Sequence, residues 1–276
     1  MRKKSAYNAH MNMQDKLLAC KQQLADLGKV TVAFSGGVDS SFLLALAVET
    51  LGVDNVLAVT VNSELLAAHE PEHACDIAAH IGATHITKDV MILTDATVAS
   101  NPPDRCYHCK KQVFGLIGQV AAEAGLPHVL SGDNADDPSD YRPGMRALVE
   151  LDIRSPLKDA ELTKAEIRAL SAERHLPTAD KPSAACLASR VQYGLELTDE
   201  RLRRLDAGEQ LLKSLGLTPC RLRDHGQLAR IEVLPEQFAD ALAARDQLVT
   251  ELRGLGWNYV TLDIAGFRSG SMNETL

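Results

Sequence analysis

One hexapeptide restricts the fold of this chain more than any other feature: Ser-Gly-Gly-Val-Asp-Ser at residues 35–40. It lies between the apolar run 30–34, which has the length and composition of a buried strand, and the apolar run 42–47, which has those of a helix. Two glycines let the backbone turn tightly, and the N-terminus of the following helix presents free N–H groups. The pattern predicts a strand, an anion-binding turn and a helix.

Phosphate is the anion that this turn is expected to bind. A Walker A loop would carry a lysine directly after its last glycine, and none follows Gly37, so the turn is a different phosphate cradle. Hydroxyl donors come from Ser35, Ser40 and Ser41, and the carboxylate of Asp39 is a candidate ligand for Mg²⁺ beside the phosphates. The alternative is that these Ser and Asp residues only cap the helix.

The N-terminal half has the pattern of a parallel α/β sheet with helices on both faces, because strands that are apolar throughout alternate with helices. The predicted helices cover residues 14–27, 42–51, 71–81, 110–124 and 162–175, and the predicted strands cover 30–34, 55–61, 84–88 and 128–130. Ligands of such sheets bind at the carboxyl ends of the strands. Ser63, Gly132 and Asp133 follow predicted strands and are therefore expected at the nucleotide, although residues 131–134 also have the composition of a simple turn.

The C-terminal half changes to a small α+β pattern. Its predicted helices cover residues 198–215 and 235–252, and its predicted strands cover 220–223, 229–234 and 259–264. We therefore expect a nucleotide-binding domain at residues 1–176, a junction at 177–198 that is rich in proline, serine and alanine, and a smaller domain at 199–276 for substrate binding or oligomerisation.

The junction contains the candidate nucleophile Cys186. Arg190 lies four residues after it and Lys181 five residues before it, and nearby positive charge favours the thiolate, which is the reactive form. The alternative is a buried thiol that serves only for packing.

Two further groups of residues are candidates for binding. Arg221 and Arg223 are two positions apart on a predicted strand, so both leave the same face and form a candidate phosphate clamp; a solvated sheet face is the alternative. Cys106 and Cys109 form a C-x-x-C pair, for which a structural role is favoured over a metal or redox role. Arg105, beside that pair, is a weaker candidate for a phosphate contact, as is Lys110.

Composition and charge favour a small substrate in the cytoplasm. The net charge of −8 argues against a general nucleic-acid binder. No stretch reaches the roughly 18 unbroken apolar residues of a membrane span, and the first residues lack the apolar region of a signal peptide. Six scattered cysteines do not form the pattern of a disulfide scaffold. A cytoplasmic protein with no membrane and no nucleic-acid partner is expected.

The hexapeptide resembles the signature of the PP-loop ATP pyrophosphatases, which cleave ATP between the α and β phosphates and leave AMP on a substrate. The chain as a whole resembles one branch of that family, the LarE-type ATP-dependent sacrificial sulfur transferases. The resemblance is carried by residues 35–40, 104–110, 131–134, 185–190, 221–232 and 266–274.

The resemblance implies a reaction and a substrate. A carboxylate of pyridinium-3,5-biscarboxylic acid mononucleotide would attack MgATP to give an acyl adenylate, and Cys186 would displace AMP to give a thioester. Cleavage of the cysteine Cβ–S bond would leave sulfur on the substrate and dehydroalanine on the protein. The product would be an intermediate of the nickel-pincer nucleotide cofactor of lactate racemase. A homo-oligomer, with transient contacts to other enzymes of cofactor biosynthesis, is implied as well.

The resemblance also implies roles for individual residues. ATP would be bound by Ala33, Ser35, Gly36, Gly37, Asp39, Ser40, Ser63, Gly132 and Asp133. The substrate would be bound by Arg190, Arg221 and Arg223. Asp39 would hold the Mg²⁺ of the departing pyrophosphate. As implied metal-binding positions, Glu209, Glu232 and Asp240 resemble acidic residues of the family that contact a metal or assist the elimination.

Several alternatives stay open. A second branch of the family holds a [4Fe-4S] cluster with three cysteines; here Cys186 has alanines beside it and the other ligands would have to come from Cys106, Cys109 or Cys220, which favours the sacrificial route. An amide-forming ligase like the NAD or GMP synthetases would not need Cys186. A tRNA-thiolating relative would be expected to carry a basic appendage, and a nucleotide-binding module without activity is the last possibility.

Overall fold

The computed structural model describes residues 12–137, 143–182, 185–268 and 270–275. Residues 183–184 of the predicted junction, Ser269 of the C-terminal stretch and most of the N-terminal segment discussed above lie outside these ranges. In the described part, no helix has both the length and the apolar character that crossing a membrane requires.

The strands are β1 (Val30–Ala33), β2 (Val56–Asn62), β3 (Thr84–Asp89), β4 (His128–Leu130), β5 (Cys220–Asp224), β6 (Leu228–Val233) and β7 (Tyr259–Leu262). The helices are α1 (Met13–Leu27), α2 (Val38–Leu51), α3 (Glu70–Ile81), α4 (Ala96–Ala99), α5 (Arg105–Glu123), α6 (Pro143–Glu150), α7 (Pro156–Asp159), α8 (Lys164–Glu173), α9 (Asp199–Ser214), α10 (Phe238–Ala243) and α11 (Arg245–Gly254).

The chain divides into two compact units. The first consists of the described residues within Met1–Asn62, His69–Asp89 and Lys110–Ala184, and the second of those within Ser63–Ala68, Val90–Cys109 and Ala185–Leu276. The continuous boundaries predicted at residues 176 and 198 do not coincide with these units, because two segments of the N-terminal half belong to the second unit.

The first unit is a parallel sheet in the order β3-β2-β1-β4. One layer of buried side chains joins the sheet to α1, α2, α3 and α8, and another joins it to α5 and α6. The predicted α/β class with helices on both faces is thus confirmed. From β1 the chain passes outward to β3 and then returns to β4 on the other side of β1. The loops that follow β1 and β4 therefore meet at the topological switch point, where such sheets bind ligands.

The second unit is built on a mixed sheet in which β6 pairs antiparallel with β5 and parallel with β7. Helix α9 lies tightly against β5, since a Cβ added at Gly208 would be 2.3 Å from Leu222 Cδ2. Trp257 is buried, and the guanidinium of Arg204 covers its ring at 4.5 Å. The predicted α+β class of the C-terminal half is confirmed.

The structure corrects several predicted element boundaries. Helix α5 begins at Arg105, five residues before the predicted start, because two prolines precede it and the carbonyl of Pro102 accepts from the Arg105 N–H; proline is well tolerated at a helix start. The C-x-x-C pair therefore lies in the first turns of a helix. The single helix predicted over 235–252 is interrupted at Ala244. Helices α4, α6 and α7 were not predicted.

Candidate active site

The glycine turn between β1 and α2 requires glycine at residue 36 and leaves α2 without a side-chain cap. Gly36 adopts a φ of +65°, and a Cβ at this position would lie 3.1 Å from the Ala74 Cα, so both conformation and space require glycine. Gly37 is the N-cap of α2, and no side chain caps the helix. Simple capping by serine or aspartate is therefore not what the turn does. Instead, the hydroxyl of Ser40 donates to the Gly37 carbonyl at 3.2 Å and lies 3.1 Å from the Ser35 hydroxyl.

The loop after β4 lies directly against the start of α2. A Cβ added at Gly132 would be 3.0 Å from the Ser40 backbone nitrogen, which explains why the closest approach of the two loops falls on a glycine. The amide of Asn134 donates to Asp39 Oδ1 at 3.2 Å. Asp133, next to Gly132, accepts from the Ser131 hydroxyl at 2.5 Å. The structure thus brings together the residues that the sequence assigned to the carboxyl ends of β1 and β4.

Two lysines that are distant in sequence supply the positive charge that the turn itself lacks. Lys164, at the first position of α8, forms an ion pair with Asp39. The ammonium of Lys181 donates to the Gly36 carbonyl at 2.9 Å, and burial lowers the pKa of Lys181 while Glu70 opposes this shift. Sequence proximity had grouped Lys181 with Cys186, but its contact is with the glycine turn. Neither lysine was assigned to the turn, because nothing in the sequence pairs positions so far apart.

Two other predicted ATP-binding residues, Ala33 and Ser63, lie at or just after the ends of strands. Ala33 ends β1 and is half-buried. Ser63 follows β2 and belongs to the second unit, where its carbonyl accepts from the Leu66 N–H at 3.1 Å. Both roles stay predictions.

Cys186 is half-exposed and stands at the N-cap of a one-turn helix, Leu187–Arg190. The carbonyl of Cys186 accepts from the Ser189 hydroxyl at 2.8 Å and from Arg190 Nη1 at 3.1 Å, which fixes the turn. Within the described residues, its sulfur makes no hydrogen bond. A half-exposed thiol on a rigid turn differs from Cys20 and Cys220, which are buried and whose pKa values burial raises to about 12 and about 11.

Two buried ion pairs stand beside this turn. Arg190 donates to both oxygens of Glu209, at 3.0 and 3.1 Å, and Glu209 also accepts from the Leu222 N–H. Arg223 donates to Glu232 Oε2 at 3.0 and 2.8 Å and to the Ser189 carbonyl. Both pairs are almost fully buried. The alternative of a solvated sheet face is therefore wrong.

Both arginines of the predicted phosphate clamp, Arg221 and Arg223, already contact protein groups. Arg223 is neutralised by Glu232, and the guanidinium of Arg221 donates to the Cys220 carbonyl and lies 5.3 Å from the centre of the Phe267 ring. Burial lowers the pKa of Arg221, and Arg190 and Arg223 add to this effect by charge repulsion. Glu209 opposes this shift.

The predicted acidic ligands of the second unit have different surroundings. Among the described residues, no group of three or more His, Cys, Asp or Glu side chains could hold a metal ion. Glu209 is bound by Arg190, Glu232 is bound by Arg223 and Arg230, and Asp240 is exposed on α10. The roles predicted for these three carboxylates stay predictions.

Comparison with known proteins agrees with this geometry. The family model for NAD synthase matches residues 11–112, which contain the glycine turn and most of the parallel sheet. The chain is 41% identical to pyridinium-3,5-bisthiocarboxylic acid mononucleotide synthase of Lactiplantibacillus plantarum over 92% of each chain. It is 37% identical to an uncharacterised protein of Synechocystis over 96% of this chain and 99% of the relative. It is also 29% identical to a component of the glutamine-hydrolysing GMP synthase of Thermoplasma volcanium, over 65% of this chain and 62% of the relative.

The parallel sheet with a glycine turn at its switch point, together with the match of residues 11–112 to the NAD synthase model, is typical of PP-loop proteins. The 41% identity to the Lactiplantibacillus plantarum synthase, over 92% of each chain, identifies a narrower family within this class. The chain belongs to the family of pyridinium-3,5-bisthiocarboxylic acid mononucleotide synthase, the LarE-type sulfur transferases, and the resemblance predicted from the motifs is confirmed.

Proposed function

We propose that this protein is an ATP-dependent sulfur transferase that acts on the carboxylates of pyridinium-3,5-biscarboxylic acid mononucleotide and takes the sulfur from its own Cys186. A substrate carboxylate attacks the α-phosphate of ATP, and pyrophosphate leaves. The Cys186 thiolate attacks the acyl carbon, and AMP leaves. Loss of the Cα proton of residue 186 then breaks the Cβ–S bond, so that the sulfur departs as thiocarboxylate and dehydroalanine stays on the protein.

The observation that carries the proposal is the half-exposed Cys186 on its fixed turn, in a chain that belongs to this family. A thiol that only packs would be buried, as Cys20 is. A thiol that acts as a nucleophile needs access to the substrate and a defined direction of approach, and the bonds of Ser189 and Arg190 to the Cys186 carbonyl supply the second requirement.

The residues around the glycine turn fit ATP and a divalent cation. The uncapped N-terminus of α2 offers backbone N–H groups to the phosphates, and Lys164 and Lys181 bring two ammonium groups to the same loop. Asp39 is the carboxylate that would hold Mg²⁺, which neutralises phosphate charge when it is bound. In this structure Lys164 forms an ion pair with the Asp39 carboxylate. When ATP and the cation bind, the Lys164 ammonium would leave Asp39 and bind a phosphate oxygen.

Arg221 is our candidate for binding the substrate's phosphate, with Arg190 and Arg223 beside it. Burial and, after it, repulsion from Arg190 and Arg223 lower the pKa of Arg221, and a bound anion would offset both effects. Arg190 and Arg223 keep their glutamate partners in this arrangement, so Arg221 supplies the positive charge for the phosphate and the other two arginines lie beside it.

A single-turnover experiment tests the proposal. The protein is mixed with MgATP and the dicarboxylate substrate, and pyrophosphate, AMP and thiocarboxylate are quantified. We expect at most one sulfur transferred per chain. Cys186→Ala should abolish thiocarboxylate formation, whereas Cys75→Ala, which removes an exposed thiol, should leave it unchanged. Full thiocarboxylate formation by the Cys186→Ala variant would refute the proposal.

The second candidate is an amide-forming ligase. It is favoured by the NAD synthase model and the GMP synthase relative, which share the nucleotide-binding half. Under this alternative, ammonia would be consumed, an amide would form, and the Cys186→Ala variant would keep full turnover.

We propose further that the protein acts as a homo-oligomer in the cytoplasm and hands its product to other enzymes of cofactor biosynthesis. The family membership supports these proposals. Size-exclusion chromatography with light scattering tests the first of them, and a monomer would contradict it.

A further inference from the structure

Arg105 is a buried cation that has no carboxylate partner among the described residues. It is 3% exposed, and within the described residues no Asp or Glu oxygen lies at ion-pair distance from it. Its guanidinium donates to the Asn101 side-chain oxygen, to the Ala188 carbonyl at 3.0 Å and to the Cys106 sulfur at 3.7 Å. Buried charges are normally paired, because removing an ion from water is costly.

The other buried arginines of this unit follow the usual rule. Arg190 has Glu209, and Arg223 has Glu232, each at 3.0 Å or less between at least one pair of atoms. The absence of such a partner at Arg105, among the residues that the structure describes, therefore indicates that an anion is expected there during function.

The position of Arg105 is held by a strained residue. Asn101 is fully buried and adopts a φ of +54°, in the left-handed region. Its amide donates to the Gln192 carbonyl, and its own carbonyl accepts from the Gly194 N–H, both at 3.0 Å. These bonds keep the Asn101 side-chain oxygen on Arg105. Backbone strain that is maintained by several hydrogen bonds is characteristic of functional sites.

Arg105 contacts the turn that carries Cys186. The Ala188 carbonyl belongs to the one-turn helix that begins after Cys186, so Arg105 is bonded directly to that turn. Burial is the largest single influence and lowers the pKa of Arg105, but the combined effects of Cys186, Cys106 and Tyr193 outweigh it, so the pKa of the guanidinium is raised. Arg190 and Arg223, the other cations at the turn, are neutralised by their glutamates.

We propose that Arg105 is the positioning residue that provides the counter-charge for the Cys186 sulfur in the sulfur transfer proposed above. Negative charge is on this sulfur twice. It is there first as the thiolate, after the thiol proton has passed to solvent, and again as the thiocarboxylate when the Cβ–S electron pair leaves with the sulfur. One fixed guanidinium serves both steps, because the charge returns to the same atom.

The charge of an alkylating reagent tests this proposal without ATP or substrate. Iodoacetate is an anion and iodoacetamide is neutral, and both alkylate a thiolate. Peptide mass spectrometry gives the two rates for each cysteine. The ratio of the iodoacetate rate to the iodoacetamide rate at Cys186 should fall by about fivefold or more in Arg105→Gln, since a unit charge beside the turn of Cys186 is removed. Arg105→Lys, which keeps the charge, should retain most of the wild-type ratio.

Two controls separate local charge from a general effect. Arg245→Gln removes an exposed arginine of the same unit and should leave the ratio at Cys186 unchanged. The ratio at the exposed Cys75 should be the same in every variant. A change in folding alone would alter the rates of both reagents together and leave their ratio intact.

An unchanged ratio at Cys186 in folded Arg105→Gln would overturn the proposal. Should that variant not fold, the wild-type protein decides: a ratio at Cys186 no higher than at Cys75 also overturns it. Neither result touches the sulfur transfer itself, which is followed by thiocarboxylate formation. Failure of this inference and failure of the proposed function are therefore distinguishable.

Discussion

Replacing Gly132 by alanine should displace the nucleotide-binding turn. The added Cβ would lie 3.0 Å from the Ser40 nitrogen, 3.1 Å from the Ser40 Cα and 3.3 Å from the Asp39 carbonyl carbon. All three are backbone atoms, so no side chain can swing aside. To reach an ordinary contact of 3.4 Å, the first turn of α2 must move away by about 0.4 Å.

The cost of this displacement follows from the close packing of the two loops. Overpacking of this kind destabilises by about 1–3 kcal/mol, and we expect Gly132→Ala to lower the free energy of unfolding by that amount in urea titrations. Because the backbone N–H groups that face the phosphates move with α2, ATP affinity measured by calorimetry should fall about tenfold, or about 1.4 kcal/mol.

Gly118 provides the matched control. It lies within α5 and a Cβ there would meet nothing within 4 Å, so Gly118→Ala should stabilise the protein by about 0.5–1 kcal/mol through helix propensity and leave ATP affinity unchanged. Wild-type stability and ATP affinity in Gly132→Ala would refute the contact between the loops after β1 and β4.

Three further predictions concern charged groups. Glu209→Gln leaves Arg190 buried without a counter-ion and should lower the free energy of unfolding by about 3 kcal/mol in urea titrations. Lys181→Met removes the ammonium on the Gly36 carbonyl and should weaken ATP binding about tenfold, as measured by calorimetry. Burial lowers the pKa of His85 in the folded state, so the unfolded chain binds more protons there, and stability should be lost as the pH falls from about 7 through about 5; His85→Gln should lose less over that range.

Each of these predictions has a control or a contradicting outcome. Asp199→Asn breaks an exposed pair with Arg203 and should change stability by less than about 1 kcal/mol; an equal loss in Glu209→Gln would contradict the special cost of the buried pair. Lys111→Met removes a half-buried lysine of α5 that pairs with Glu150 and should leave ATP binding intact. Parallel pH profiles for wild type and His85→Gln would exclude the buried imidazole as the source of acid sensitivity.

The fold of the nucleotide-binding half could be predicted from the sequence because the patterns that indicate it are local. An apolar strand, a glycine turn and an apolar helix follow one another without interruption at residues 30–47, and the rule for parallel sheets then placed Gly132 and Asp133 at the same edge. The strand predicted at 128–130 has the bounds that the structure shows.

The contacts of the lysines and arginines at the two candidate sites could not be predicted in the same way. Lys164 and Lys181 reach the turn from positions 125 and 145 residues away, and no periodicity encodes such a contact. The sequence placed the positive charges of Arg190 and Arg223 near the candidate site, but it did not predict their glutamate partners. The partner of Arg190 depends on the packing of α9, and the partner of Arg223 depends on the pairing of β5 with β6. Arg105 was noted only as a weak phosphate contact, because burial without a carboxylate partner is visible only in three dimensions.

The central claim is that the sulfur comes from the protein itself, and the intact mass of the protein after reaction tests it most directly. After incubation with MgATP and the dicarboxylate substrate, we expect each reacted chain to be lighter by the mass of H₂S, about 34 Da, with the change in the peptide that carries residue 186. A protein of unchanged mass that has nevertheless produced thiocarboxylate would contradict the account.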